Sequence, residues 1–137
     1  MNKLKIILDT NVLLVSISSK SQYHWIFQSL LNNFFDLYIS NEILMEYEEI
    51  IGRKFSPAVA KNITRALLAL PNVQQTTVYY KWDLIKADSD DNKFVDCAIT
   101  AGADYIVTQD KHFNILKTVD FPSVTIANIH QFKLLIS

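Results

Sequence analysis

Near its start the chain reads LKIILDTN (residues 4–11), and this segment is the strongest indication of the fold. Its apolar run ends abruptly on Asp9. A second apolar run, YIVT (residues 105–108), ends in the same way just before Asp110, and the acidic stretch DSDD (residues 88–91) opens a helix pattern between them. In an open parallel sheet, ligands bind beyond the carboxyl ends of the strands, so these acids are expected to face one cleft.

Strand patterns alternate with helix patterns along the whole chain. This order predicts an α/β domain in three layers, with a central parallel sheet of four to five strands covered by helices on both faces. The predicted strands are 5–8, 37–39, 105–108 and 124–127, and residues 73–80 form either an edge strand or an extended connection. The predicted helices are 22–31, 41–51, 57–70, 91–101 and 129–136. No repeat or linker interrupts the pattern, so residues 1–137 are expected to form a single domain.

The composition excludes several classes of protein. Half of the residues are hydrophobic, which excludes a disordered chain, and the lone Cys97 favours a reducing compartment because it has no partner for an intramolecular disulfide. An apolar stretch near the N-terminus follows two lysines as in a secretory signal, but Asp9 and Asn11 interrupt it. No apolar stretch approaches the length of a membrane span. A cytoplasmic protein without a membrane partner is expected.

Helical phase indicates which acid of the predicted helix 41–51 can reach the cleft. The apolar residues of this helix form one stripe that faces the core: Ile43, Leu44, Tyr47, Ile50 and Ile51. Glu46 lies on one border of that stripe, positioned to lean over the sheet edge. Glu48 lies on the opposite border. Glu46 is the preferred candidate, although helical phase alone leaves Glu48 open.

The same reasoning applies to the predicted helix 91–101. Asp91 continues the inner apolar stripe by one turn toward the N-terminus, and an ionised group directed inward there needs a partner. Asp88 is predicted to cap this helix and Asp90 to favour its first turn. Asp96 falls on the far face, where the simplest interpretation is a charge in contact with water.

Each of these acids has an ordinary structural explanation when it is taken alone. An Asp-Thr-Asn triplet after a strand is often only a turn, and acids before a helix are often only caps. The joint pattern is more informative, because acids from two strand ends and two helices can reach one edge. Converging carboxylates repel one another unless a cation holds them, and oxygen ligands suit Mg²⁺ or Mn²⁺. The pattern therefore predicts a divalent-metal site that acts at phosphate.

Four stretches together resemble the PIN-domain family of metal-dependent ribonucleases. They are ILDTNVL (7–13), IS followed by residues 42–46, DSDDNKF (88–94) and AGADYIVTQD (101–110). Within the family, the sequence is most similar to the toxin component of bacterial and archaeal toxin–antitoxin pairs. The resemblance implies a PIN-like fold and hydrolysis of RNA phosphodiester bonds with Mg²⁺ or Mn²⁺ as cofactor.

The resemblance also implies roles for individual positions. It gives catalytic and metal-binding roles to four carboxylates: Asp9, Glu46, Asp91 and Asp110. It gives a supporting role, orienting those acids, to three polar residues: Thr10, Asn11 and Thr108. The chain departs from the family where Ser89 replaces a frequent proline and Gln109 replaces a glycine or basic residue. Neither departure removes a carboxylate.

The implied partners are an RNA substrate, a cognate antitoxin and a second copy of the chain. Lys93 and Lys111 are weak candidates for contacts with the RNA backbone, and the preferred interpretation of each is an ordinary solvated charge. The formal net charge is −1, and committing four carboxylates to cations would leave +3 on the rest of the chain, so RNA is not excluded. Apolar residues in 25–35 could form a dimer surface or belong to the core, and residues 53–86 match no motif.

Two other functions remain open at this stage. A non-catalytic PIN-fold module that binds RNA or protein is the first, although such modules commonly lose acids that this chain retains. A phosphotransfer domain with a strand-end aspartate is the second, but the expected additional acid beside Asp9 is absent. The three histidines are too scattered to suggest a zinc motif, and His112 is predicted to lie in a surface turn.

Overall fold

A five-stranded parallel sheet forms the centre of the computed structural model, which describes residues 3–137. The strands are β1 (Lys5–Leu8), β2 (Asp36–Ile39), β3 (Val73–Gln75), β4 (Tyr105–Val107) and β5 (Ile126–Ala127). Their order across the sheet is β3-β2-β1-β4-β5, and every neighbouring pair runs parallel. The prediction of a parallel sheet of four to five strands is confirmed.

Helices cover both faces of this sheet, so the predicted three-layer α/β/α architecture is confirmed. The helices are α1 (Thr10–Ile17), α2 (His24–Leu31), α3 (Asn41–Lys54), α4 (Pro57–Ala69), α5 (Asn92–Ala101) and α6 (Ile129–Ile136). Two 3₁₀ segments, Ser89–Asp91 and Lys111–Thr118, precede α5 and follow β4. No helix in the described part of the chain is both long and apolar enough to cross a membrane.

The strand order reverses next to β1. The chain builds β1, β2 and β3 in one direction, then returns across the sheet to place β4 on the other side of β1. Because parallel crossovers are right-handed, the helices made before and after this return lie on opposite faces. The neighbouring helix layers separate at that point and leave a crevice beyond the carboxyl ends of β1 and β4.

The central strand explains the apolar run at the start of the chain. Ile6, Ile7 and Leu8 are completely buried, as expected for a strand with layers on both faces. The buried Tyr47 of α3 donates its hydroxyl hydrogen to the backbone carbonyl of Leu8. This hydrogen bond joins α3 to the end of β1, immediately before Asp9.

The helix α1 was not expected from the sequence. Asp9-Thr10-Asn11 has the composition of a turn, and the apolar residues that follow form no clear amphipathic stripe. In the structure Thr10 is already helical and buried, and Val12 and Leu13 are buried as well. The polar Thr10 and Ser16 are buried in α1 while the apolar Val15 is exposed, so the contrast between apolar and polar faces from which helices are predicted is weak.

Several predicted elements differ in extent from the observed ones. The helix α3 continues to Lys54, beyond the predicted end at residue 51. In the stretch 73–80 only Val73–Gln75 forms a strand, at the edge of the sheet, and β5 is shortened to Ile126–Ala127. Within residues 25–35, four apolar side chains belong to the core: Ile26, Phe27, Leu30 and Phe35. Leu31 and Phe34 of the same stretch are exposed.

Residues 76–88 form an extended cover segment that lies on α5. Asp96 accepts a hydrogen bond from the backbone N–H of Trp82 at 3.0 Å, and the Asn92 amide bonds both the N–H and the carbonyl of Ile85 at 2.9 Å. Asp96 is therefore buried, and the prediction that it meets water was wrong. Burial raises the pKa of Asp96, and the bond from Trp82 acts in the opposite direction. Helical phase identified the face correctly, but the segment that covers this face is distant in sequence.

Candidate active site

The four predicted carboxylates are brought together at the crevice between β1 and β4. Asp9 directly follows β1, Asp110 follows β4, Asp91 lies at the start of α5, and Glu46 projects from α3. Their mutual electrostatic influence shows this proximity, because the charges of Asp110 and Glu46 both act on Asp9, and the charges of Asp110 and Asp9 act on Asp91. The acids divide into two groups with different surroundings.

The Asp9 group consists of Asp9 and Glu46 with their hydrogen-bond donors. Asp9 is buried, and its Oδ2 accepts a hydrogen bond of 2.8 Å from the hydroxyl of Thr108. It occupies the position before α1 without capping that helix through its side chain. Burial raises the pKa of Asp9, the Thr108 hydroxyl lowers it in part, and the charges of Asp110 and Glu46 raise it further.

Glu46 completes the Asp9 group with two donors of its own. The Thr10 hydroxyl donates to Glu46 Oε2, and the Lys93 ammonium lies 2.6 Å from Oε1. Both charged side chains are mostly buried, with 23% of the Glu46 side chain and 16% of the Lys93 side chain exposed. Lys93 is therefore an ion-pair partner inside the site, and its interpretation as an ordinary solvated charge was wrong. Glu48, the alternative left open by helical phase, is exposed.

The Asp91 group consists of Asp88, Asp91, Asp110 and His112. Asp91 is 8% exposed, and no N–H or O–H group among residues 3–137 donates to its buried Oδ2. The Nδ1 atom of His112 lies 3.7 Å from this oxygen, 3.7 Å from Asp88 Oδ2 and 3.1 Å from Asp110 Oδ1. Sequence reasoning missed His112 as a neighbour of the acids, although its spacing of two residues from Asp110 was visible.

Local hydrogen bonds place the outer acids of the Asp91 group. Asp88 accepts from the N–H of Asp90 at 3.2 Å and caps the 3₁₀ turn before α5, which agrees with its predicted role as a cap. Asp110 accepts from the N–H of His112 at 2.9 Å, and its own N–H donates to the Thr108 hydroxyl at 3.0 Å. Thr108 thus contacts both groups, since it also bonds Asp9.

The protonation of Asp91 and Asp110 follows from this crowding. Burial raises the pKa of Asp91 to about 8, aided by the hydrogen bond with Asp110 and by the charges of Asp110, Asp88 and Asp9. Burial also raises the pKa of Asp110. Hydrogen bonds from the His112 N–H and from Asp91, together with the nearby imidazole, outweigh this effect and bring the pKa of Asp110 below its ordinary value. Near neutral pH, Asp91 therefore retains a proton that it shares with Asp110.

These surroundings fit a divalent cation. Carboxylate oxygens are the ligands that Mg²⁺ and Mn²⁺ prefer, and the buried Asp91 Oδ2 has no donor within the described residues. An unpartnered buried carboxylate oxygen is costly, and a cation satisfies it. Asp88, Asp91, Asp110 and His112 each offer a ligand atom, and these atoms all lie within 4.8 Å of one another.

The remaining predicted residues have different surroundings. Thr10 and Thr108 bond the acids directly, whereas Asn11 is exposed on α1 and joins none of these hydrogen bonds. Lys111 is exposed beside Asp110. The departure at Gln109 has a structural use, because its side-chain oxygen accepts from the N–H of Ile129 at 3.1 Å and so holds the start of α6.

Comparisons with solved structures identify similar folds. VapBC2 from Rickettsia felis, bound to a DNA fragment from its promoter, is 16% identical, with a TM-score of 0.63, covering 91% of this chain and 98% of that chain. DNA-bound VapBC from Salmonella typhimurium is 18% identical, with a TM-score of 0.63 and coverage of 92% and 98%. VapC20 from Mycobacterium tuberculosis, a toxin that cleaves the sarcin–ricin loop, is 16% identical, with a TM-score of 0.59 and coverage of 80% and 92%.

Sequence comparison supplies the family. A search of curated proteins finds no match to this sequence. The family model of the PIN domain matches residues 5–112, which include β1 to β4 and all four carboxylates of the crevice. The chain therefore belongs to the PIN domain family.

Proposed function

We propose that this protein is a metal-dependent endoribonuclease that hydrolyses RNA phosphodiester bonds, with Asp9, Glu46, Asp91 and Asp110 as its catalytic and metal-binding residues. One observation carries the proposal: four carboxylates converge at the point where the strand order reverses, and one of them keeps a buried oxygen for which residues 3–137 supply no donor. We further propose that residues 1–137 work as one PIN-like unit, with Mg²⁺ or Mn²⁺ as the cofactor.

The residues of the chain divide the work at this site. Asp9 and Asp91 would hold the cation, and Glu46 and Asp110 would complete the ligand set or orient the attacking water. Thr108 keeps Asp9 Oδ2 in place, and Thr10 orients Glu46. When bound, the cation supplies Lewis-acid activation of water and stabilises charge on the leaving oxygen.

A polar depression beside Asp110 supports RNA as the substrate. It has a volume of about 290 Å³ and is lined by the lysines Lys111 and Lys117 and by amide side chains that include Asn114 and Gln131. Lysine and amide groups are common contacts to phosphate and sugar, and they carry no base specificity of their own. We propose that the strand leaving the carboxylates passes through this depression, with Lys111 on its backbone.

The structural neighbours suggest the biological setting. Their described complexes are VapBC assemblies and FitAcB from Neisseria gonorrhoeae, and VapC20 is described as a toxin. We propose that this chain is likewise the toxin of a toxin–antitoxin pair that acts on RNA in the cytoplasm. Its partners would be a cognate antitoxin protein and a second copy of the chain, for which the exposed Leu31 and Phe34 offer apolar contact area.

The test is RNA cleavage by purified protein with Mn²⁺ or Mg²⁺, compared with Asp9→Asn. The wild type is expected to cut, and Asp9→Asn is expected to be inactive while folded, because the carboxylate that Thr108 orients is lost. Cleavage retained by Asp9→Asn would refute the assignment of the site. Absence of metal binding by a folded wild type would favour a non-catalytic PIN-fold module that binds RNA or protein.

A further inference from the structure

We propose that His112 and Asp88 join Asp91 and Asp110 to form a mixed nitrogen and oxygen cation site that selects a transition-metal dication such as Mn²⁺ over Mg²⁺. This inference rests on the proposed function, because it concerns the same crevice. It goes beyond that function by adding two ligands and by specifying the class of metal. The proposed ion would lie between the carboxylates of Asp91 and Asp110 and the imidazole of His112.

The first support is geometric. One ligand atom from each of the four residues lies within 4.8 Å of the other three, a spacing that a single ion contacting all of them requires. The imidazole Nδ1 approaches all three carboxylates, at 3.1 Å from Asp110 and 3.7 Å from both Asp88 and Asp91. Metal–ligand bonds of about 2.1 Å place neighbouring ligands roughly 3 to 4 Å apart. The cluster therefore has the dimensions of a coordination sphere.

The second support is independent of the cluster's shape. Asp91 is 8% exposed, and its buried Oδ2 has no hydrogen-bond donor among residues 3–137. This atom faces His112 Nδ1 across 3.7 Å, beyond hydrogen-bonding distance. Buried carboxylate oxygens are nearly always satisfied, and an ion is one of the partners that satisfies them. The open position thus lies between Asp91 and the imidazole.

The exposure of the cluster also agrees with an ion at this position. About half of the His112 side chain and 39% of the Asp88 side chain are exposed, so the cluster is open to solvent at these two residues. The backbone N–H of His112 bonds Asp110 at 2.9 Å, which holds the turn without using the imidazole. The imidazole Nδ1 faces the acids and contacts Asp110 Oδ1 at 3.1 Å, a contact that ligation of a cation by Nδ1 would replace.

The donor set determines the class of metal. Mg²⁺ binds oxygen ligands almost exclusively and retains its waters, whereas imidazole nitrogen suits the first-row transition metals. Three carboxylates with one imidazole match Mn²⁺, Fe²⁺ or Co²⁺ better than Mg²⁺. Removing the imidazole should therefore weaken Mn²⁺ binding much more than Mg²⁺ binding.

Pulsed electron paramagnetic resonance of bound Mn²⁺ tests the proposal directly. The protein would be given excess Mg²⁺ and less than one equivalent of Mn²⁺, and ¹⁴N echo modulation from a coordinated imidazole would be recorded. The modulation is expected in the wild type, lost in His112→Ala and retained in the control His130→Ala, whose side chain is exposed on α6. Bound Mn²⁺ without ¹⁴N modulation in the wild type overturns the proposal, whether or not the variants fold.

Calorimetric titration supplies the affinity and separates this proposal from the proposed function. His112→Ala is expected to lose about 100-fold in Mn²⁺ affinity and to change little in Mg²⁺ affinity, since even indirect partners of a metal cost about 10- to 100-fold. Equal losses for both metals would contradict nitrogen ligation. If ¹⁴N modulation is absent but RNA cleavage still depends on Asp9, the proposed nuclease function is retained and the proposed mixed nitrogen and oxygen site is refuted. If no metal binds at all, both proposals are refuted.

Discussion

The Asp9 group and the Asp91 group lie side by side but differ in how their charges are compensated. Asp9 and Glu46 receive hydrogen bonds from Thr108 and Thr10, and Glu46 also has the Lys93 ammonium 2.6 Å away. In the Asp91 group, Asp88 and Asp110 accept backbone N–H groups, but the buried Asp91 Oδ2 has no donor within residues 3–137. The chain itself thus provides donors for most of these acids and leaves Asp91 to a proton or a cation.

This difference suggests that the fold preorganises the Asp9 group and that the Asp91 group is completed by what binds to it. Donors that are part of the fold keep the Asp9 group in one geometry before any ligand arrives. The Asp91 group is costly when ionised, so a cation that replaces the shared proton gains most of its binding energy there.

The largest effect is expected for Asp91→Asn. This change removes the unpartnered carboxylate oxygen and should abolish metal binding, with cleavage reduced by at least about a thousandfold, because a lost cation removes several kcal/mol of transition-state stabilisation. The metal-free variant should be about as stable as the wild type near neutral pH, since asparagine is uncharged like the protonated Asp91 and can also donate to Asp110. Calorimetry with Mn²⁺ and urea denaturation measure the two effects. Strong destabilisation of the variant would show that the chain itself provides a stabilising partner for Asp91.

The pH dependence of stability should be set mainly by the Asp91 group. The pKa of Asp91 is about 8 in the folded chain and 3.8 by reference, so between these values the folded state holds a proton that the unfolded state releases. The free energy of unfolding should then fall as the pH rises from about 4 to about 8. Thermal denaturation with chelator at pH 5 to 8 measures this fall. Asp91→Asn should show a much flatter profile, with a smaller slope left from Asp9, and an unchanged profile would contradict the prediction.

A smaller effect is expected for Thr108→Val in the Asp9 group. Valine keeps the shape of threonine but removes the donor to Asp9 and the acceptor for the Asp110 N–H. Leaving buried polar groups unpaired costs about 1 to 3 kcal/mol of unfolding free energy. Urea denaturation measures the loss. Thr118→Val is the matched control, because that hydroxyl is exposed and bonds only the carbonyl of Ile115. Equal losses in the two variants would show that Thr108 has no special role.

The smallest effect is expected for Lys93→Met, measured with chelator present. Its ion pair with Glu46 is mostly buried, so the loss should be about 1 to 2 kcal/mol, between the values for surface and buried pairs. Lys86→Met removes the exposed pair with Asp83 and should cost no more than about 0.5 kcal/mol. Saturating Mn²⁺ should reduce the loss for Lys93→Met by providing Glu46 with another cation. A loss that persists unchanged in Mn²⁺ would place Glu46 outside the metal's ligands.

Most of the fold could be predicted because its signals are local. The apolar run before Asp9 and the cap Ser40, whose hydroxyl accepts from the Ile43 N–H, lie within a few residues of the elements that they define. The left-handed Gly102 likewise ends α5 where the sequence predicts. The helix α1 was missed because its buried polar residues weaken the amphipathic pattern. Residues 76–88 show no local signal, since they are held by the side chains of α5.

The site could be predicted in its acids but not in their compensation. Strand ends and helical phase predicted the positions of Asp9, Glu46, Asp91 and Asp110, because each depends on the element that bears it. The pairing of Lys93 with Glu46 depends on the packing of α5 against α3, and the position of His112 depends on the turn after β4. Such contacts between elements have no periodic signature in one sequence.

The cover segment has a consequence for amide hydrogen exchange. The N–H groups of Trp82 and Ile85 lie outside every helix and strand, yet Asp96 and Asn92 hold them at 3.0 and 2.9 Å. Their exchange should be slow, at a rate set by release of the segment from α5 rather than by fraying of a loop. Since Asn92 directly follows Asp91, these two amides would report, from outside the crevice, when a cation tightens the start of α5.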